Sequence, residues 1–285
     1  MNASNRAARL GRVEIVASAV PDLRVVGLQR LALGGKWRVE AMRSYARPVL
    51  LWFTRGQGRI TVAGTTRGYG PHNAVFLPPN TMHGFDMLGQ VLGSAVFLPN
   101  DPSLDWPEDI AHLRIRDVRQ QSELTGLIDA IETEMAKDDA IAMRAAHHHA
   151  GLLSVWLARQ LVETPVTIGV GSETKAADRI AAAFTSMVEQ AYRTPKPIAT
   201  YARELGVTPT HLTRACNATS GRSASSILME RRLYEARRLL AETKKPVKSI
   251  AKELGFSTPA YFTRMFHAQT GQTPTQFRSA PARRH

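Results

Sequence analysis

The sequence is nearly empty of cysteine and has no long apolar run. Cys216 is the single cysteine among 285 residues, so neither an intramolecular disulfide framework nor a four-cysteine zinc site can form. A reducing compartment fits that count. No stretch approaches the roughly 18 apolar residues of a membrane-spanning helix. The longest candidates, Pro48–Phe53 and Val91–Leu98, are strand-sized. Met1–Gly11 is basic and polar, and Glu14 breaks the apolar segment after it, which makes a poor secretory signal. A helical membrane protein and a disulfide-stapled secreted scaffold are excluded, and the expected location is cytoplasmic. A hydrophobic fraction of 44% excludes wholesale disorder. The length fits one large or two ordinary domains.

Acidic residues are scarce in one region. Residues 1–171 hold 18 Lys/Arg and 16 Asp/Glu, whereas residues 172–285 hold 19 and 8. Of the net charge of +13, +11 therefore lies in the last two-fifths. Such asymmetry suits either a polyanion partner or a solubilising surface, and charge alone does not choose. Thr164–Thr174 (TPVTIGVGSET) has linker composition. The expected organisation is one unit over 1–164, a linker over 165–174, and a basic unit over 175–285.

Strand-like runs recur early: Leu23–Leu31, Pro48–Thr54, Arg59–Val62, Asn73–Leu77 and Val91–Leu98. Gly34-Gly35, Arg55-Gly56-Gln57-Gly58, Gly68-Tyr69-Gly70-Pro71 and Pro78-Pro79-Asn80 punctuate them. That spacing predicts a sandwich or barrel. Gly70–Asp86 (GPHNAVFLPPNTMHGFD) resembles the second motif of cupin barrels. The first cupin motif, with two histidines and a carboxylate, has no counterpart between Trp37 and Gly58, which holds no histidine. No metal and no cofactor is therefore expected, although a cupin metalloenzyme with a nucleic-acid-binding tail is the enzymatic alternative. Leu124, Leu127, Ile128, Ile131 and Met135 then fall at helical spacing, and a second helix is predicted over Ile141–Val162. The pair suits packing on the barrel or pairing with another chain. His147-His148-His149 point about 100° apart on a helix, so they cannot share one metal.

The last third repeats itself. Pro197–Gly221 (PIATYARELGVTPTHLTRACNATSG) and Pro246–Gly271 (PVKSIAKELGFSTPAYFTRMFHAQTG) match at an offset of 49 residues up to Gly206 and Gly255, and 50 by Arg214 and Arg264. Each has helix-turn-helix grammar. A first helix, Ile198–Leu205 or Val247–Leu254, ends at Gly206 or Gly255, where positive φ is tolerated. Thr208 and Ser257 are the expected N-caps of second helices over Pro209–Asn217 and Thr258–Gln269. Between the units a helix over Ser223–Glu242 spans about 30 Å, close to the 34 Å or so of one DNA turn. Helices over Ala176–Tyr192 and Thr275–Ser279 brace the two ends.

Residues 175–280 thus resemble the DNA-binding domain of the AraC/XylS family of transcription regulators. The resemblance is carried by Arg232-Leu233, Ala236, Ile250-Ala251, Leu254-Gly255-Phe256, Tyr261-Phe262, Arg264-Met265-Phe266, Gly271, Thr273-Pro274 and Phe277-Arg278. It implies a multi-domain α and β protein: an N-terminal cupin-like β-barrel with accessory helices, and a C-terminal all-α double helix-turn-helix domain. It also implies a non-enzymatic regulator, commonly an activator, that binds double-stranded DNA, a small-molecule effector, a second copy of itself and RNA polymerase.

Groove-facing residues should lie near the start of each second helix, three or four apart. Thr210, Thr213 and Arg214 fit in the first unit, and Pro259, Ala260, Thr263 and Arg264 in the second. Arg214 and Arg264 suit a guanine edge or a phosphate. Arg222, Lys248, Ser257 and His267 are candidate phosphate clamps. Arg231, Arg232, Arg237 and Arg238 suit DNA or the neighbouring acids Glu230, Glu235 and Glu242. For an effector, Arg38, Trp52, His72, His83 and Phe85, with Trp37, are candidates by residue type and position. The remaining alternative is a ligand-free DNA-architectural protein.

Overall fold

The computed structural model describes residues 22–137, 139–163 and 176–280. The expected linker and the basic N-terminal segment lie outside them. The first unit contains strands β1 (Arg24–Gly27), β2 (Val49–Val62), β3 (Thr65–Tyr69), β4 (Asn73–Leu77), β5 (His83–Phe85), β6 (Leu88–Phe97) and β7 (Ala111–Arg114). Short helices α1 (Leu28–Leu31) and α2 (Trp37–Glu40) follow β1, and α3 (Val118–Met135) and α4 (Ala140–Glu163) close the unit.

Strand β2 organises the sheet. Its first half pairs with β4 on one side and β6 on the other, through Val49–Phe53. Its second half pairs with β3 and β5 through Gly58–Val62. One strand therefore runs through two layers. The Arg55-Gly56-Gln57-Gly58 segment, expected as a turn between two strands, is a bulge inside β2, where the register against β6 shifts. Gly56 has φ +86°, and a Cβ there would lie 2.6 Å from the Gln90 carbonyl oxygen, so a side chain is excluded by both backbone and space.

All residues of Val49–Phe53 are buried. Alternation explains how. Val49, Leu51 and Phe53 join Ile60, Val62 and Phe85 between the layers. Leu50 and Trp52 face the other way, onto Leu124, Ile128 and Ile131 of α3 and Leu153 and Leu157 of α4. The two helices thus pack on the sheet.

The expected closed barrel is not what forms. The strand order is β1-β6-β2-β4-β7, with β3 and β5 attached to β2. Among the described residues β1 and β7 do not pair, so the antiparallel sheet is open. The Leu23–Leu31 run also divides, into β1 and α1.

The second unit is helical: α5 (Ala176–Ala191), α6 (Ile198–Glu204), α7 (Pro209–Ser220), α8 (Ala224–Glu242), α9 (Val247–Glu253), α10 (Pro259–Thr270) and α11 (Pro274–Ser279). One core joins Phe184, Tyr201, Leu212, Ile227, Leu239, Ile250, Phe262 and Phe266. Met42 and Met82 from the sheet unit are buried in the same cluster.

Candidate nucleic-acid interface

Two helix-turn-helix units share α8. In each, a glycine ends the first helix in the left-handed region: Gly206 at φ +67° and Gly255 at φ +71°. The Thr208 hydroxyl caps α7 by accepting from the His211 amide at 3.2 Å, and Pro209 stands at the first turn. In the second unit the cap is Thr258, which accepts from the Tyr261 amide at 3.1 Å. Ser257, expected in that role, is exposed one residue earlier. The 49-to-50 change of offset explains the difference, because the second turn is one residue longer.

Each second helix buries one face and exposes the other. Leu212, Ala215 and Cys216 point inward on α7, and Phe262 and Phe266 on α10. Thr210, Arg214 and Asn217 are exposed on α7, with Thr213 half-buried. Ala260, Arg264 and His267 are exposed on α10, with Thr263 half-buried and Pro259 at its start. These two sets match at the offset of 50. No described carboxylate pairs with Arg214 or Arg264, so both guanidinium groups are available to an anion. Each helix start also presents free N–H groups. His211 and Tyr261, both exposed at equivalent positions, escaped the sequence reading. The repeat register alone would have found them.

Lys248 and His267 are exposed, as a phosphate contact requires. Arg222 is half-buried and pairs with Glu230 at 3.3 Å. Burial raises the Glu230 carboxyl, against the Arg222 charge and the Ser226 hydroxyl.

The arginines of α8 divide. Arg231 is buried and donates to both Glu189 carboxylate oxygens, at 2.6 and 2.9 Å. Arg232 is buried and donates to the Tyr192 and Thr194 carbonyls beyond α5. There it satisfies helix-end oxygens that would otherwise lack donors. Arg238 pairs with Glu235 at 2.7 Å and Glu242 at 3.4 Å. Arg237 lies over the Trp37 ring. Thus Arg231 and Arg232 fasten α5 to α8. Cys216 is buried, and burial pushes its thiol up to about 11, so at neutral pH it is a protonated, unreactive core group.

The candidate effector residues do not all meet in one place, although Trp52 and His72 touch. Trp52 faces the helices, donating to the Thr125 hydroxyl at 3.2 Å, and His72 lies against its ring. Phe85 is between the sheet layers. Arg38 is at the seam with the helical unit, paired with Glu242 at 3.2 Å. His83 is buried, and desolvation, with Arg43 and Arg231 nearby, pushes it down to about 3. Desolvation and Arg67 hold His112 down at about 4. Two surface concavities, of about 380 and 320 Å³, lie along α4 and beside Asp22, His147 and Met143. None of the six candidates, Trp37 included, lines either. Among the described residues no His, Cys, Asp and Glu cluster could hold a metal. No helix there is long and apolar enough to cross a membrane.

Comparison with known proteins bears on the same helices. Residues 201–280 match a helix-turn-helix domain model. The HTH-type transcriptional regulator GlxA of Rhizobium meliloti (strain 1021) is 33% identical over 144 residues, 48% of this chain and 44% of GlxA. The arabinose operon regulatory protein of Escherichia coli (strain K12) is 30% identical over 82 residues, 29% of this chain and 28% of that protein. This chain therefore spans less than half the length of these curated relatives. The crystal structure of ToxT from Vibrio cholerae O395 aligns over 90% of this chain and 96% of its own, at 10% identity and a TM-score of 0.42. Residues 201–280 are thus similar to a helix-turn-helix domain, and the chain is similar in part to transcriptional regulators.

Proposed function

We propose that the whole chain is a sequence-specific DNA-binding transcriptional regulator rather than an enzyme. One observation carries this: two helix-turn-helix units, joined by one rigid helix, each expose an arginine and a polar face from equivalent positions. The 19 residues of α8 span about 28 Å, near the 34 Å or so between successive major grooves on one side of a duplex. Thr210, Thr213 and Arg214 read one block of base pairs. Pro259, Ala260, Thr263 and Arg264 meet the second. Lys248, His267, Ser257 and Arg222 hold phosphates. The reading faces differ between units, which favours sequence readout over an architectural role.

The sheet unit is assigned a cupin-like sensing role for a small-molecule effector. A second copy of the chain is the partner for α4. Its outward residues Ile141, His148, Leu152, Val155, Arg159 and Val162 are all exposed, and with Ala145 they alternate at four- and three-residue spacing, the seam of a paired helix. Activation through RNA polymerase and a cytoplasmic location complete the reading.

Selection of bound sites from random duplex DNA by the purified chain tests it. A motif of two blocks about one helical turn apart is the expected result. Binding that is equal on all sequences would favour the architectural alternative, and no binding would remove the reading.

A further inference from the structure

Besides Met42 and Met82, which are buried in the helical core, the sheet unit meets the helical unit at two further places, one on the first helix-turn-helix and one on α8 and α11 beside the second. At the first, the turn between β2 and β3 meets α5 and the end of α7. The Thr219 hydroxyl donates to the Gly64 carbonyl at 2.7 Å, and the Thr65 hydroxyl to Asp178 at 3.2 Å. Gly64 is buried at φ +77°, and a Cβ there would lie 3.0 Å from the Ala181 Cβ. A side chain there would be strained by the backbone and tight against Ala181.

At the second place, Trp37 of α2 is wedged against the far end. Its ring meets Tyr234 of α8 at 5.7 Å and Phe277 of α11 at 6.0 Å, both edge-on. Arg237 stacks over it from α8 at 5.7 Å. Phe277 in turn meets Phe266 of α10 at 5.6 Å. Arg38, the next residue, pairs with Glu242 at the end of α8. Continuous contact therefore runs from the sheet unit to the second reading helix through Trp37 and Phe277, and to the first through Gly64 and Thr219.

We propose that the sheet unit is a splint: Trp37 and the Gly64 turn hold the two helix-turn-helix units in one relative setting, and so fix the spacing of the two base-pair blocks they read. Trp37 is a positioning residue and touches no DNA in this arrangement. A rigid splint penalises wrong spacing, because one added base pair turns the second block by roughly 35° about the duplex axis. This rests on the DNA reading proposed above. It also gives the sheet unit a physical route for altering operator choice, since anything that shifts α2 or the Gly64 turn moves one unit against the other.

The experiment uses the full chain and its selected bipartite site, with the gap between blocks lengthened and shortened by one and two base pairs. The readout is the ratio of affinities between the best gap and the altered ones. Wild type should lose about tenfold or more on an altered gap, as for a mismatched site. Trp37→Ala should bring that ratio within about threefold, a difference of about 0.7 kcal/mol, and Trp37→Phe should restore it. Thr219→Val, which removes one hydrogen bond, should lower the ratio in the same direction. It also carries the test if Trp37→Ala does not fold. A Trp37→Ala or Thr219→Val protein that binds every gap more weakly by one common factor overturns the splint. A wild-type chain with no bipartite motif overturns the DNA reading itself, which separates the two failures.

Discussion

The two helix-turn-helix units are copies in register but not in substance. Positions 50 residues apart hold Leu212 and Phe262, then Cys216 and Phe266, each pair buried. The first unit sets the small Leu212 and Cys216 side chains beside one buried ring of its own, Tyr201, which meets Phe184 of α5 edge-on at 5.5 Å. The second is filled by rings: Phe256 meets Phe262 at 5.1 Å, Phe262 meets Phe266 at 5.7 Å, and Phe266 meets Phe277 at 5.6 Å. Their support differs too. The first unit packs between α5 and α8 and is touched directly by the sheet unit at Gly64, whereas the second lies between α8 and the short α11 and is reached by the sheet unit only through Phe277. A unit with fewer covering elements must obtain its apolar area from larger side chains. Equal outward geometry is thus reached from unequal interiors.

Truncation inside the second unit should break the pair most. Phe266→Ala is expected to cost about 3–5 kcal/mol. Cys216→Ala, at the equivalent position, removes one small group and should cost about 1 kcal/mol. Denaturant unfolding of both variants measures the contrast, and equal losses would mean that the two interiors carry the same load.

The two turn glycines separate next. Both have positive φ, so alanine at either is strained by about 1–2 kcal/mol. At Gly206 a Cβ meets nothing within 4 Å, whereas at Gly255 it would lie 2.7 Å from the Arg193 carbonyl oxygen. Gly255→Ala should therefore cost about 2–4 kcal/mol, adding an overpacking cost to the strain. Gly206→Ala should stay near the lower figure. Thermal melts that fall together would contradict the close approach.

On DNA, Arg264→Ala should lose about 1–3 kcal/mol of discrimination at one or two base pairs of the second block. Arg214→Ala should do the same in the first block. Lys248→Ala should instead weaken all sequences alike and lower the salt slope by about 1. A uniform loss for Arg264→Ala would make it a phosphate clamp.

The smallest contrast is electrostatic. Glu253 of the second unit is held by Lys245 at 2.8 Å and Arg193 at 2.6 Å. These partners, Lys245 foremost, hold its carboxyl below the ordinary range. A depressed carboxylate contributes stability above its unfolded pKa of about 4.3 and loses it as pH falls through the lower folded value. Glu204 in the first unit is more exposed and pairs, among the described residues, with Lys196. Glu253→Gln should cost at most about 1 kcal/mol at neutral pH and low salt, and Glu204→Gln less. Both effects should shrink in high salt, and the Glu253→Gln difference should vanish in acid.

The helical unit was legible because its signals are local. A glycine at positive φ, a Thr before Pro209 or Pro259 and a 3.6-residue period each act within a few residues. Their repetition at 49 to 50 residues made the pattern hard to mistake. The exception, Ser257 for Thr258 as the cap, is a one-residue ambiguity between two adjacent hydroxyls. Only backbone geometry resolves it. The sheet unit was less legible because its decisive contacts are distant. Glycines in Arg55–Gly58 read as a turn, yet pairing with β6 makes them a bulge. The pocket candidates were chosen by residue type, and pleat alternation sends Trp52 and Phe85 to opposite faces.

The sequence by itself determined the paired helix-turn-helix units, the exposed faces of their second helices and the basic character of that region. Those properties follow from turn chemistry, helical period and charge, which neighbouring residues settle among themselves. Only the tertiary structure decided that β2 is shared by two open layers. It alone showed that Arg231 and Arg232 bind α5 and its trailing carbonyls, and that Gly64 seats the sheet unit on the first helix-turn-helix while Trp37 seats it on α8 and α11. These depend on which distant surfaces meet, and shape complementarity across hundreds of residues leaves no period or motif in the chain.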